Sequence, residues 1–295
     1  MIPALLLALR VALPQDPAVL LVRVLDVSDA RMGGDAILIT DSSGGHARHV
    51  LLDGSDRGRT VLAWLARFRV DTLAAVILSH AHQDHYGGLG DVLAAFPVRA
   101  FVYGGTPRTA VSYRALLGRV DALGIPVNTA DAAPRTLTVV TGTDSFQLQL
   151  LPPPPACRAL RSNQGDDINN CSLGVRLVRD SFAMLFPGDA ERAELDWWRA
   201  AWPDLLAAPV LKAGHHGSSN ATTAAWLDAV GPRVVVISAN GRQHPFASVL
   251  SLLAARGTET HCTADQGTIT VRVPRGAAWE VRTERAGACH ARTAP

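Results

Sequence analysis

A chain of 295 residues is long enough for one large domain or two small ones. Its 48% hydrophobic and 18% charged residues exclude intrinsic disorder, and a formal net charge of +2 is too mild to mark a nucleic-acid binder by itself. Residues 1–14 (MIPALLLALRVALP) are apolar but fall short of the roughly 20 residues that cross a bilayer, so no transmembrane segment is expected. Residues 1–18 are expected to be either an export signal or an N-terminal extension. Against a signal, no basic residue precedes the apolar run and Arg10 interrupts it. The four cysteines, Cys157, Cys171, Cys262 and Cys289, match no C-x-x-C metal motif. In an exported protein the local pairs would be Cys157 with Cys171 and Cys262 with Cys289; in a cytoplasm all four would be free thiols. Compartment and oligomeric state stay open.

Three β-type runs open the chain, at residues 19–27, 33–40 and 49–54, joined by turns such as Ser42-Ser43-Gly44-Gly45. Residues 59–69 (RTVLAWLARFR) have helical spacing. The apolar run 73–78 (LAAVIL) reads as a buried strand and ends in Ser79-His80-Ala81-His82-Gln83-Asp84-His85. Imidazole and carboxylate are the usual donors for zinc and similar divalent ions. Alternate side chains of an extended segment point the same way, so His80 and His82 can share one ion. Asp84 and His85, past the bend, can serve a second. Next come a strand at 97–103, a helix at 109–123 stopped by Gly124, an irregular stretch at 127–137, and strands at 137–140 and 146–151. Four prolines at 152–155 then open a polar loop, 161–170, that is expected to approach the site.

A hairpin at 172–178 and 181–186 ends in Pro187-Gly188-Asp189. A helix at 191–201 follows; its Trp197 and Trp198, with Trp202, read as buried packing, a substrate platform being the alternative. A strand at 208–213 ends in Gly214-His215-His216-Gly217-Ser218, and a helix at 222–230 follows it. A strand at 233–238 leads to His244-Pro245, then come a helix at 248–255 and a late strand at 268–273. Four apolar runs thus end in candidate ligands, each followed by a helix. That repetition places the ligands along one edge of a sheet, where α/β folds build their sites. Two β-rich halves suit a two-sheet sandwich covered by helices, here one domain over 19–275 with a C-terminal tail at 276–295.

The His-x-His-x-Asp-His of residues 80–85 resembles the signature of the metallo-β-lactamase superfamily. The resemblance implies an α/β (α+β) fold, a four-layer αββα sandwich with a one- or two-metal hydrolytic site along one edge. Further stretches are similar to the β-lactamase-like domain of the competence DNA-uptake channel family, from about residue 22 to about residue 273. They are Gly34-Asp35-Ala36, Leu52-Asp53-Gly54, Asn169-Asn170-x-Ser172-Leu173, Gly188-Asp189-Ala190-Glu191, Leu211-Lys212-x-Gly214-His215-His216-Gly217-Ser218 and His244-Pro245. In that family the domain is attached to membrane-spanning helices and is thought to cut DNA. The chain departs from the pattern in three places. The family's Asp-Val-Gly-Gln-Gly-Asp is broken over residues 26–35, Ser55 stands where a glycine is usual, and the slot of a further histidine holds Asn169, Asn170 or Ser172.

The resemblance and the residues together lead to an expected metal-dependent hydrolase with two divalent ions, zinc or manganese, acting on a phosphodiester and most readily on DNA. A lactonase, thioesterase or β-lactamase is the alternative with the same metals, and a non-catalytic binding module is the third reading. Asp189 is expected to bridge the ions. His80 and His82 would complete one site, and Asp84, His85 and His244 the other. Asp53 is either a support for a ligand histidine or a turn residue. Of His215 and His216, one would be a ligand and one a proton donor, in an order the sequence leaves open. Lys212, the only lysine, and Ser218 are expected phosphate contacts, a solvated strand-edge lysine being the alternative for Lys212.

Overall fold

Strand segments buried on both faces carry apolar residues in succession, as residues 37–39, 50–52 and 75–78 do. In β1 (Val19–Val24), β2 (Ile37–Ser43), β3 (His46–Leu52) and β4 (Ala75–Leu78), one set of alternate residues, including Val22, Ile39, Val50 and Ile77, faces a central core. In β2, β3 and β4 the other set, including Leu38, Leu51, Val76 and Leu78, faces an outer core. The computed structural model describes residues 18–29, 33–142, 144–160 and 165–292. Residues 1–17, nearly all of the expected export signal or N-terminal extension, lie outside the described residues. So do Ala30, Arg31 and Met32 of the broken motif and residues 161–164 of the polar loop.

β5 (Phe101–Tyr103) and β6 (Val127–Thr129) extend the first sheet by parallel pairing beyond β4. The second sheet is built from β7 (Arg135–Thr141), β8 (Asp144–Leu151), β9 (Gly174–Arg179), β10 (Phe182–Phe186), β11 (Val210–Lys212), β12 (Val234–Ile237) and β13 (Glu259–Cys262). β14 (Ile269–Pro274) and β15 (Glu280–Thr283) return to the first. The strand orders are β15-β14-β1-β2-β3-β4-β5-β6 and β13-β12-β11-β10-β9-β8-β7, each sheet part antiparallel and part parallel. Met184, Phe186, Val210 and Val236 meet the first sheet in the central core, while Leu185, Leu211, Val235 and Ile237 face outward.

Helices cover both outer faces. Val61 and Leu65 of helix Gly58–Arg67, Val92 of Leu89–Ala95 and Leu116 of Val111–Ala122 pack on the first sheet. Leu195 and Trp198 of helix Arg192–Ala201, Trp226 of Ala224–Val230 and Leu253 of Ala247–Ala255 pack on the second. The result is the four-layer αββα sandwich. Trp198 is fully buried and donates to the Pro152 carbonyl at 2.8 Å, and Trp197 and Trp202 pack edge to face beside it, so the tryptophans serve the core.

Two stretches differ from expectation. Residues 127–137 are not irregular throughout: Val127–Thr129 and the start of β7 are the edge strands of the two sheets. Both are short or exposed, so the alternation that betrays a strand is missing there. Within the expected C-terminal tail, residues 280–283 form a strand. β15 pairs antiparallel with β14, and Cys289 is bonded to Cys262 at the end of β13. Cys157 is bonded to Cys171, so the local pairs of the exported case are both formed. Among the described residues no helix is long and apolar enough to cross a membrane.

Candidate metal centre

The ligand-type residues gather where strands of both sheets run out. β4 delivers His80, His82, Asp84 and His85; β3 delivers Asp53; β10 delivers Asp189; β11 delivers His215 and His216; and the chain entering β2 delivers Asp35. The loops close tightly. Gly34 has φ +87°, and a Cβ there would fall 1.7 Å from the Asp84 carbonyl oxygen, so only glycine lets the two segments meet. After β11, His215 (φ 42°) and His216 (φ 53°) precede Gly217 (φ 86°) in a left-handed run. Non-glycine residues hold that conformation at a cost of about 1–3 kcal/mol each, which a scaffold sustains chiefly at functional sites. The run aims His216 at Asp84 and Asp189, and His215 at Glu191.

Asp189 is the centre. Its Oδ2 lies 3.2 Å from His85 Nε2, 3.3 Å from His216 Nε2, 3.9 Å from His80 Nε2 and 4.0 Å from His215 Nε2. Asp84, His85, Asp189 and His216 each bring one ligand atom within 4.8 Å of the others, enough to hold one ion. His80 Nε2 is 3.0 Å from His82 Nδ1, so this pair converges beside the same carboxylate. Asp189 Oδ1 and His216 Nε2 are buried with no hydrogen-bond partner among the described residues, which is what a set of donors arranged for a cation leaves. The donor set of imidazoles and carboxylates fits a divalent transition metal.

Charge and burial oppose each other here. Burial pushes the Asp189 carboxyl up, yet His216 and His85 beside it hold it well below the usual carboxylate range. Burial pushes His85 and His216 down, yet Asp189, with Asp84 for His85 and Asp35 for His216, raises both well above the usual imidazole range. His80, buried and next to His85, is pushed well below it and is neutral, with a lone pair to give. The array therefore demands positive charge, from protons or from a metal.

Supporting groups fix the rings. Asp53 Oδ2 accepts from His85 Nδ1 at 2.8 Å and from the Ser79 hydroxyl at 2.7 Å, while its Oδ1 accepts from the Ser79 amide at 2.8 Å. This leaves Nε2 of His85 for the site, the arrangement that orients ligand histidines generally. His216 Nδ1 donates to the Ser238 carbonyl at 3.0 Å and lies 3.5 Å from Asp35 Oδ1. A cavity of about 390 Å³ opens over the cluster, lined by Asp84, His215, His216, Asn240, Arg242 and His244 among others.

The sequence profile of the metallo-β-lactamase superfamily matches residues 30–125, which include the histidine motif. The chain is 26% identical to ComE operon protein 3 of Bacillus subtilis (strain 168) over 220 residues, 72% of this chain and 26% of that protein. It is 30% identical to competence protein ComA of Neisseria gonorrhoeae over 119 residues, 39% of this chain and 17% of that one. The chain thus spans about a quarter or less of these relatives. Among solved structures, the metallo-β-lactamase fold protein YhfI from Bacillus subtilis superposes with a TM-score of 0.53 at 12% identity, covering 87% of this chain and 100% of that one. Tm1679, described as a metal-dependent hydrolase of the β-lactamase superfamily, gives 0.53 at 15% identity, with 86% and 98% coverage. Over residues 30–125 the chain is similar to the metallo-β-lactamase superfamily, and its fold is the metallo-β-lactamase fold.

Within this metallo-β-lactamase fold, three residues sit differently from expectation. His244 does not join Asp84 and His85; His216 takes that place, because its Nε2 is 3.4 Å from Asp84 Oδ2. The His244 ring lies 4.8 Å from Phe246 and 5.4 Å from His215, at the cavity wall. Burial and the neighbouring His216 and His215 push it down to about 4. Lys212 is not on the cavity lining. It is fully buried and ion-paired with Asp35, with its Nζ 3.8 Å from Asp189 Oδ1, so it sits beneath the carboxylates as their counter-charge and is not a solvated strand-edge lysine. The Ser218 hydroxyl is buried and donates to Asn220 Oδ1 at 2.6 Å, away from the cavity lining. Sequence reasoning missed Asp35 and Glu191 as site residues. Both lie in stretches that resemble the competence family, Gly34-Asp35-Ala36 and Gly188-Asp189-Ala190-Glu191, but the spacing of Glu191 from its partner His215, 24 positions (215 − 191), gave no hint of its contact.

Proposed function

We propose that this protein is a metal-dependent phosphodiesterase that acts on DNA and uses two divalent ions, zinc or manganese. The observation that carries the reading is Asp189 Oδ2, buried and ringed by four imidazole nitrogens within 4.0 Å. One carboxylate oxygen so surrounded suits a ligand shared between two cations. In this reading His80 and His82 hold one ion with Asp189, and Asp84, His85 and His216 hold the other. Ions bound there supply Lewis acidity for a phosphoryl oxygen and for the attacking water. The rest falls to the chain's own groups. Asp53 and Ser79 keep the His85 ring turned to the site. Ser238 and Asp35 do so for His216, and Lys212 balances the buried negative charge. His215, whose side chain is 25% exposed at the cavity, is the proton donor for the leaving oxygen. DNA is favoured by the competence-protein names of the relatives and by a proton donor that only a poor leaving group needs.

The test joins metal analysis to a substrate screen. Purified protein should carry one to two divalent ions per chain, on the order expected of a two-metal hydrolase. A chelator should abolish cleavage of DNA and of bis-p-nitrophenyl phosphate, and added zinc or manganese should restore it. Full activity in metal-free protein would sink the reading. Efficient opening of a β-lactam, lactone or thioester with every phosphodiester left intact would keep the metal and replace the substrate.

A further inference from the structure

A polar network at the rim of the site is not needed to hold metal. Asn169 Nδ2 donates to Glu191 Oε1 at 2.9 Å, and the Asn220 side chain also hydrogen-bonds Glu191. Ser218 donates to Asn220 Oδ1 at 2.6 Å, which turns the Asn220 amide group toward the carboxylate. The same Glu191 Oε1 lies 2.8 Å from His215 Nδ1. Glu191 and Asn169 are buried, whereas His215 reaches the cavity and presents Nε2 on the Asp189 side, 4.0 Å from Oδ2. Two neutral amides, one of them held by Ser218, thus fix one carboxylate, and the carboxylate fixes one imidazole.

A carboxylate at Nδ1 decides what Nε2 can do. While Nδ1–H stays on Glu191, the protonated ring can release only the Nε2 proton, and afterwards it remains a neutral, oriented imidazole. We propose that Glu191, clamped by Asn169 and Asn220, is the positioning residue that makes His215 the proton donor to the leaving oxygen. This rests on the phosphodiesterase reading above. In the step, the water oxygen bonds to phosphorus and the scissile P–O bond breaks with its electron pair on the leaving oxygen. That oxygen takes the proton from His215 Nε2. The proton lost by the attacking water passes to solvent, from which His215 is reprotonated. Asn169 thereby has a use beside the metal centre without being a ligand: it orients the acid.

The experiment compares leaving groups in the full-length, metal-loaded protein. The rates of wild type, E191Q, H215A and the double variant are measured on a dinucleotide, which releases an alkoxide, and on bis-p-nitrophenyl phosphate, which releases a stable phenolate. H215A should lower the dinucleotide-to-aryl rate ratio by about 100-fold. E191Q should lower it by roughly 10- to 100-fold, and in the H215A background it should add almost nothing. Bound metal should be unchanged in all three. Should E191Q fail to fold, N169A reaches the same carboxylate and should shift the ratio in the same direction by less. Equal losses on both substrates, losses that multiply in the double variant, or metal lost from E191Q would each overturn the proposal. A wild type that cleaves esters but no phosphodiester overturns the substrate reading instead. Phenyl and alkyl esters then decide the pair by the same ratio.

Discussion

At the scale of single residues, the least expected finding is a lysine with no route to solvent. Lys212 is fully buried, and an ammonium in that position is tolerated only because Asp35 pairs with it and Asp189 lies near. Burial pushes the amine down, but Asp35 and Asp189 more than compensate and raise it. The pair is a built-in counter-charge for a cluster that also holds Asp53 and Asp84. Removing one partner leaves an uncompensated buried charge, so K212M should cost roughly 3–5 kcal/mol of stability, and removing both partners should cost much less. Urea unfolding of K212M, D35N and the double variant measures this. A K212M protein as stable as wild type would mean that Lys212 is not the counter-charge.

At the scale of elements, the site depends on how closely loops from different strands approach. Gly34 in the loop before β2 touches the Asp84 carbonyl, and the Asp35 amide donates to that oxygen at 3.3 Å. G34A would place a methyl group inside the Asp84 backbone and strain a φ of +87°, so the ligand loop has to move. G118A, in the middle of helix Val111–Ala122, meets nothing within 4 Å and should raise stability by about 0.5–1 kcal/mol. The contrast is read by thermal unfolding and by calorimetric metal titration. G34A should lose both stability and metal affinity, whereas G118A should lose neither. Normal metal affinity in G34A would show that the Gly34–Asp84 contact does not set the ligand geometry.

At the scale of the whole molecule, two disulfides pin segments that the sheets hold weakly. Cys157–Cys171 closes 14 residues across the polar segment, and Cys262–Cys289 ties the chain after β15 to β13. Closing a loop of about 15 residues is worth about 3 kcal/mol in the chain-entropy model. Reductant should therefore lower the unfolding temperature, and C262S/C289S should expose the C-terminal segment to proteolysis while leaving the metal centre loaded. Thiol titration of protein from its native compartment tests the pairing itself: no free thiol is expected before reduction. Four free thiols there would remove both bonds from the account.

The sequence by itself pointed to the fold class and to His80, His82, Asp84, His85 and Asp189 as candidate ligands, while it left His216 open and expected His244 in its place. Buried strands show as short apolar runs, and residues 80–85 pack their donors so close that chain connectivity alone brings them together. Four strand ends with ligands then implied one edge, and Asp189, His80, His82, Asp84 and His85 do meet there. Tertiary structure alone decided the rest, because it depends on directions that sequence spacing does not encode. Consecutive His215 and His216 part company only through the left-handed turn they share, one to Glu191 and one to Asp189. Lys212 reads as a phosphate contact until β11 turns out to be an interior strand, flanked by β10 and β12, with the lysine side chain sealed over Asp35. Edge strand β6 carries no buried face on which alternation could register, and β15 joins its sheet only by pairing with β14. Local periodicity reports which residues are buried; which of them touch is settled only when distant strands are laid side by side.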